Sequence, residues 1–364
     1  MTSQPVTVGI IGAGNISSVY LQADRKFGNI RITKIADIDV PKARAQAEKF
    51  GKQAATVEAL LADPEIELVV NLTVPQAHAE VALRALEAGK HVYNEKPLAV
   101  TREDAAHMIA LAHSKGLRIG CAPDTFLGAG LQTCRRLIDE GAIGKPVLAL
   151  AHFLSAGMEW WHPNPAFFYK PGAGPMFDMG PYYLTALVTL LGPAVQVSGM
   201  ARITYTERVI TSQPLFGQRI QVEVPTLVVG LLAFAEGTLA HITTTFDVSE
   251  KYAPQLIIYG TEGALACPDP NTFGGPVRIK HKGENEWQEL PLRGRWTEND
   301  RGLGVAEMAQ AIRQARPHRA SAELAFHVLD LMHAFHESAY AERHIAIAST
   351  CTRPEPLPED WLGT

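Results

Sequence analysis

Across the first third of the chain, short β-branched runs alternate with amphipathic stretches. Residues 6–11 (VTVGII), 30–37 (IRITKIAD), 66–73 (IELVVNLT), 90–95 (KHVYNE) and 117–122 (LRIGCA) are largely apolar. Between them, 41–51, 77–89 and 102–116 carry apolar residues at helical spacing, and each ends in a glycine (Gly51, Gly89, Gly116). Strands without a polar face need cover on both sides, so the alternation predicts a parallel sheet wrapped by helices. The glycines mark helix ends, where a left-handed residue closes the last turn. From about residue 145 the pattern changes. Long strand-like runs follow one another directly (146–154, 194–205, 226–234, 237–248, 255–267), which predicts antiparallel pairing in an open sheet. Two helical stretches, near 304–315 and 321–341, come after them. The predicted fold class is α/β: a doubly wound Rossmann domain over 1–124, then an α+β domain over 125–364 on a large, open, mostly antiparallel sheet. With helices on one face only, the runs TLVVGLLAF and GTLAHITTT would leave an apolar face to hide, which predicts a homo-oligomer, a dimer or a tetramer.

One helical stretch interrupts those strands. GPMFDMGPYYLTALVTLLG (174–192) is apolar except for Asp178, Tyr182, Thr185 and Thr189, spaced 4, 3 and 4 apart. On one continuous helix these four would form a single polar stripe on a buried element.

Composition narrows the function classes. The chain has 364 residues, 46% hydrophobic and 20% charged, which suits a globular protein of two domains. A net charge of −5 gives no reason to expect nucleic acid or an anionic membrane as partner. The basic cluster Arg313, Arg316, His318 and Arg319 reads as cations at a helix C-terminus. Cys121, Cys134, Cys267 and Cys351 form no CxxC pair, which argues against a zinc ribbon or disulfide framework. The N-terminal segment lacks the basic stretch and cleavage site of a secretion signal, so a cytoplasmic location is expected. Asp330, His333 and Glu337 share a helical stripe, but a lone helix with mixed ligands is the pattern of a solvated face, and no metal is expected.

Residues 12–17, GAGNIS, follow a strand and open a helix. Gly12 and Gly14 permit a tight turn, and backbone N–H groups around Asn15 and Ile16 could approach a pyrophosphate there. The third glycine of the usual pattern is Ser17. Asp37, at the end of the next strand and 25 residues past Gly12, stands where a ribose-binding carboxylate belongs. Ile38 and Asp39 follow it, so a 2′-phosphate would meet acids rather than bases and NAD is preferred. Lys42 and Arg44, slightly further on, keep NADP open as the alternative.

Together with TVPQAH (73–78), EKP (95–97), GAIGKP (141–146) and GAGPMFDMG (172–180), these features give the chain its likeness. It resembles the Gfo/Idh/MocA oxidoreductases, relatives of glucose–fructose oxidoreductase and inositol dehydrogenase, over nearly its whole length. The resemblance implies a Rossmann domain followed by an α/β domain with a large open sheet, and an NAD(P)-dependent activity on sugars, cyclitols and related alcohols or carbonyls. It implies Gly12, Gly14 and Asn15 at the pyrophosphate and Asp37 at the adenosine ribose. Thr73, Pro75 and His78 would lie beneath the nicotinamide half, Glu95 at its ribose, and Lys96 at the substrate hydroxyl, with a cis bond before Pro97. Family members commonly carry Asp and, four residues on, His as the proton-transfer pair. Here Asp178 is kept and the histidine position holds Tyr182; CAPDTFLGAG also lacks the Arg often found after the last Rossmann strand.

A free tyrosine titrates near 10 and is a poor base at neutrality, but an adjacent ammonium stabilises phenolate. Lys96, Asp178 and Tyr182 are therefore expected to converge as the catalytic set. His162 is a second candidate base, in the loop MEWWHPNPAFFYKPG, whose Trp161 and Tyr169 would bind substrate beside it. Aromatic faces suit the apolar side of a sugar ring, although such rings also plug cores and oligomer contacts. The leading reading is hydride transfer between a nicotinamide and a secondary alcohol or ketone of a sugar, cyclitol or glycoside. Two alternatives stay open at this level: an NAD-dependent glycosidase working by transient oxidation and elimination, and a non-catalytic NAD-binding sensor.

Overall fold

The computed structural model describes residues 4–250 and 255–363. Its first sheet has six parallel strands: β1 (Val6–Ile11), β2 (Ile30–Ala36), β3 (Gln53–Ala55), β4 (Leu68–Asn71), β5 (His91–Asn94) and β6 (Ile119–Cys121). Their order is β3-β2-β1-β4-β5-β6, so the connection reverses between β1 and β4. Open α/β sheets bind ligands at the carboxyl ends of strands at such a switch point. Every residue of β1 and β4 is buried, as unbroken apolar runs require. The connecting helices are α1 (Ser17–Tyr20), α2 (Ala23–Lys26), α3 (Val40–Phe50), α4 (Val57–Ala62), α5 (His78–Glu87) and α6 (Arg102–Ser114). Asp39 caps α3 by accepting the Lys42 N–H, and Thr101 caps α6 through Asp104 N–H. Gly51, Gly89 and Gly116 all take positive φ at helix ends, as their placement predicts. The helix expected after β1 is instead two single turns, α1 and α2, so little macrodipole accumulates there.

The second sheet has nine strands: β7 (Pro146–Leu154), β8 (Ala194–Arg202), β11 (Leu227–Phe234), β12 (Leu239–Thr245), β13 (Leu256–Gly260), β14 (Gly263–Cys267), β15 (Val277–His281), β16 (Gln288–Leu290) and β17 (Ile345–Ala346). The order is β16-β15-β14-β13-β7-β12-β11-β8-β17, antiparallel throughout except β7 against β12. A separate hairpin pairs β9 (Glu207–Val209) with β10 (Arg219–Gln221). Helices α7 (Ala129–Asp139), α8 (Pro175–Asp178) and α9 (Gly180–Leu191) belong to this unit, and α9 is buried on every side. Further along come α10 (Leu303–Arg313) and α11 (Ala322–Ala341). Gly199 and Gly230 stand opposite each other in β8 and β11, and Phe335 of α11 fills the space above them. A Cβ on Gly230 would lie 2.2 Å from the Phe335 ring, so neither strand tolerates a side chain there. On the opposite face of this sheet Leu231, Leu239 and Met200 are exposed, and His152 lies 5.4 Å from His241 on adjacent strands.

The two compact units are not contiguous stretches of sequence. One comprises the chain up to Leu127, 298–326 and the residues from Leu357 on; the other comprises 128–297 and 327–356. The return of the chain is not visible in a helical pattern, which does not name the sheet it covers. Side chains make that return. Asp124 accepts the N–H groups of Gly302 and Gly304 at 2.9 and 3.0 Å, and Lys26 pairs with Asp300 at 2.6 Å. Arg313 grips Glu67 with two hydrogen bonds of 2.7 Å, while Arg316 and Arg319 both neutralise the fully buried Glu307. The three arginines of the basic cluster are thus paired with acids, and His318 meets the carbonyl of Ile119. Among the described residues no helix is long and apolar enough to cross a membrane.

Asp124 yields a prediction. Burial, the largest influence, raises its carboxyl from the ordinary 3.8 to about 6. A raised acid favours the folded state while protonated, so this contribution is full at acid pH and is lost as pH rises from about 4 through about 6. About two units correspond to roughly 3 kcal/mol. Asp124→Asn keeps an acceptor oxygen and removes the titration. Its stability relative to wild type, followed by calorimetry, is expected to improve by about that much between pH 4 and 7; a difference independent of pH would contradict the assignment.

Candidate active site

The turn after β1 is shaped for a ligand's approach. Gly12 has φ 110°, and a Cβ on it would lie 2.6 Å from the backbone of Leu72, so only glycine fits. Gly14 is exposed with no atom within 4 Å of its Cβ position. Gly12 N–H donates to Ala36 O at 2.8 Å and Ala13 N–H to the Asp37 carboxylate at 2.7 Å. The next three N–H groups, of Gly14, Asn15 and Ile16, have no hydrogen-bond acceptor among the described residues. Three successive donors left unused in a glycine turn are what an anion-binding concavity requires, and such a site does not depend on a long helix. Asp37 is fixed by Ala13 and by Asp39 N–H at 2.8 Å, and it remains half-exposed with lone pairs to spare. These residues fit a dinucleotide: free donors for its pyrophosphate and a positioned acceptor for a ribose diol.

At the ends of β4 and β5 a buried polar network sets the loops. Asn71 donates to Asn94 Oδ1 at 3.0 Å and to His78 O at 3.1 Å, and its own Oδ1 accepts Thr73 Oγ1 at 2.7 Å. Asn94 donates to Leu98 O at 3.0 Å. The His78 ring is fully buried between Pro97 O at 2.7 Å and Thr73 O at 3.1 Å, and burial lowers its pKa. The neutral ring has one N–H, so it donates to one of these two carbonyls and packs against the other, between the Thr73 turn and the Lys96–Pro97 turn. Pro75 opens a short 3₁₀ turn, and the Lys96–Pro97 bond is cis, as the resemblance implies. Glu95 accepts the Tyr20 hydroxyl and the Lys96 N–H, each at 3.0 Å. Asn71 and Asn94 escaped the sequence reading, although a polar residue closing an otherwise apolar strand was a usable signal.

In the second unit the polar stripe is interrupted. Met179 separates α8 from α9, leaving Asp178 at the end of one helix and Tyr182 in the first turn of the next. Thr189 bonds its own helix at Ala186 O, and Tyr182 and Thr185 are both buried, so the four residues do not form one open polar stripe. The neighbouring Tyr183 is a core residue whose hydroxyl meets Asp269 at 3.5 Å.

The loop that precedes α8 is held from below. Glu159 accepts the Tyr169 hydroxyl and pairs with Arg208 at 2.9 Å; Arg208 also pairs with Asp247 and donates to Phe246 O. All three charges are nearly buried. Thr211 and Ser212 N–H groups bond Glu159 O at 3.0 and 2.9 Å. Tyr169, expected at the substrate, is fully buried with its hydroxyl committed; it is a strut, because a phenol in an apolar cluster must find a polar partner inside. Trp160 (66% exposed), Trp161 (49%) and Phe167 (40%) remain open on the surface, with His162 half-buried among them. Asp330, in the stripe read as a solvated face, accepts Ser349, and His333 packs on Phe177. Among the described residues no cluster could hold a metal ion.

Comparisons with known proteins agree with this architecture. Residues 6–122 match the Gfo/Idh/MocA oxidoreductase family with its NAD-binding Rossmann fold, and 131–266 match a Gfo/Idh/MocA C-terminal domain. A 1,5-anhydro-D-fructose reductase of Ensifer adhaerens is 28% identical over 71% of this chain and 74% of that protein. A trans-1,2-dihydrobenzene-1,2-diol dehydrogenase of Bos taurus is 25% identical over 84% and 87% respectively. Among solved structures, levoglucosan dehydrogenase in complex with NADH and L-sorbose superposes with a TM-score of 0.80 at 21% identity, covering 95% of this chain and all of that one.

Proposed function

Because the chain belongs to the Gfo/Idh/MocA oxidoreductases, we propose that it is an NAD-dependent dehydrogenase or reductase of a sugar, cyclitol or glycoside, with Lys96, Asp178 and Tyr182 as the proton-handling set. The observation that carries this reading is the turn at Gly14–Ile16, whose free donors stand beside the anchored Asp37 carboxylate. A nicotinamide dinucleotide held there by its pyrophosphate would supply the hydride acceptor or donor. Tyr182 takes the hydroxyl proton in oxidation and returns it in reduction. The Lys96 ammonium makes the phenol acidic enough for that task at neutral pH, since an opposite charge favours phenolate. Asp178 orients the ammonium or a substrate hydroxyl. Trp161, with Trp160 and Phe167, offers ring faces for the apolar side of a sugar.

NAD is preferred over NADP because Asp37 and Asp39 flank Ile38 with no base between them. The exposed sheet face with Leu231, Leu239 and Met200 is proposed as the contact between copies in a dimer or tetramer. Four free, buried cysteines suit a reducing cytoplasm.

Four outcomes test these assignments. Asp37→Ala is expected to weaken NAD and narrow its advantage over NADP in calorimetric titrations; equal wild-type affinity for both removes the preference. Light scattering is expected to give a multiple of the chain mass, and a monomer at micromolar concentration removes the oligomer. Tyr182→Phe keeps the packing and deletes only the hydroxyl. Its kcat is expected to fall about a hundred- to ten-thousand-fold with NAD affinity level. Lys96→Met should fall similarly and move the remaining pH profile alkaline. A nearly fully active Tyr182→Phe enzyme would transfer the proton role elsewhere.

A further inference from the structure

We propose that His162 is a fixed hydrogen-bond donor, presenting Nε2–H to an oxygen of the bound substrate, and is not the proton-accepting base. The proposal rests on the reading above that this loop faces the substrate.

The tautomer follows from the neighbours of the ring. The main-chain N–H of Asn164 donates to His162 Nδ1 at 3.0 Å. An amide N–H can only donate, so Nδ1 must hold its lone pair there, and a neutral imidazole then carries its one proton on Nε2. The ring has little freedom to turn over. Its main-chain carbonyl accepts the Ser212 hydroxyl at 2.6 Å and its N–H donates to Met158 O at 3.0 Å. Trp161, Phe167 and Phe168 meet it edge-on, with centroids 5.2 to 5.4 Å away. Turning it over would set a carbon against the Asn164 N–H and forfeit that bond.

The second nitrogen is different. Among the described residues Nε2 has no hydrogen-bond partner, although the ring is half-buried and its loop is pinned by Arg208 and Glu159. Burial is the largest influence on the imidazole and lowers its pKa, while the Asn164 hydrogen bond and the Asp178 carboxylate act in the opposite direction. The neutral ring therefore dominates at neutral pH. A nitrogen that already carries a proton has no lone pair with which to remove another. It can orient a hydroxyl or carbonyl oxygen, and so select which carbon of a polyol is offered for oxidation. Proton removal is left to Tyr182.

The test uses the full-length protein and two variants. His162→Gln places an amide N–H close to the position of Nε2, whereas His162→Leu fills the space without a donor. Kinetics across pH, with the sugar or glycoside that the wild type oxidises best, are joined to nitrogen NMR shifts of the imidazoles. The His162 signals are assigned among the 13 histidines by their loss in the variant. The Gln variant is expected to keep kcat/KM within about threefold with an unaltered pH profile, and the Leu variant to lose about tenfold, mainly through KM. Nδ1 should be pyridine-like and Nε2 pyrrole-like. A Gln variant as impaired as Leu with its acid limb lost, or a pyrrole-like Nδ1, overturns the proposal. If the wild type oxidises no sugar, polyol or glycoside, the proposed function fails by itself, while the nitrogen shifts still decide the tautomer.

Discussion

A buried amide has to spend its hydrogen bonds inside the protein, and Asn71 and Asn94 do so at adjacent strand ends. They bond each other and reach the loops that carry Thr73, His78 and Leu98. Leaving one such group unpaired costs about 1 to 3 kcal/mol, so the loops are held where they satisfy the pair. The buried His78 imidazole lies between the carbonyls of Thr73 and Pro97 and donates to one of them. Lys96 sits between Glu95, itself held by Tyr20, and a cis proline. The order of the sheet places this cluster at the ends of β4 and β5, beside the reversal between β1 and β4.

The second unit reaches a comparable rigidity by other means. Arg208 brings Glu159 and Asp247 together with almost no exposed charge, and its guanidinium lies over Tyr169 and Tyr205 at 5.5 and 5.2 Å. Burying ions in this way is costly unless their partners are well placed. Here the result is a loop whose hydrophobic floor is Met158, Phe168 and Tyr169 and whose roof is exposed aromatic surface. Ordered rings bind with less conformational loss than mobile ones.

Much of this was legible in the sequence, for definite reasons. Unbroken apolar runs can serve only a sheet covered on both sides, and Gly51, Gly89 and Gly116 stop helices by backbone sterics alone. Asp37 was readable because its distance from Gly12 is set by one βαβ unit. What stayed hidden depends on partners distant in sequence. Nothing near Tyr169 announces that its hydroxyl will turn inward to Glu159, because that requires Arg208 and Phe246 from other elements. The break at Met179 is invisible in a periodic pattern that runs straight across it. The return of 298–326 to the first unit depends on Asp124, whose acceptor role needs glycines far along the chain.

The glycine pair beneath Phe335 has a consequence for how the large sheet assembles. Slipping β8 against β11 by one residue would turn every side chain to the wrong face, and the apolar pattern already forbids it. A slip by two residues preserves the faces and would pass unnoticed by hydrophobicity. It would, however, set Val197 or Ala201 opposite Gly230, and Val228 or Leu232 opposite Gly199, so that the paired gap under the ring no longer exists. The ring and its two glycines therefore index the strands, as a key reads one notch. In a sheet with an apolar outer face, where misaligned strands would invite aggregation, that index protects the native alignment from within.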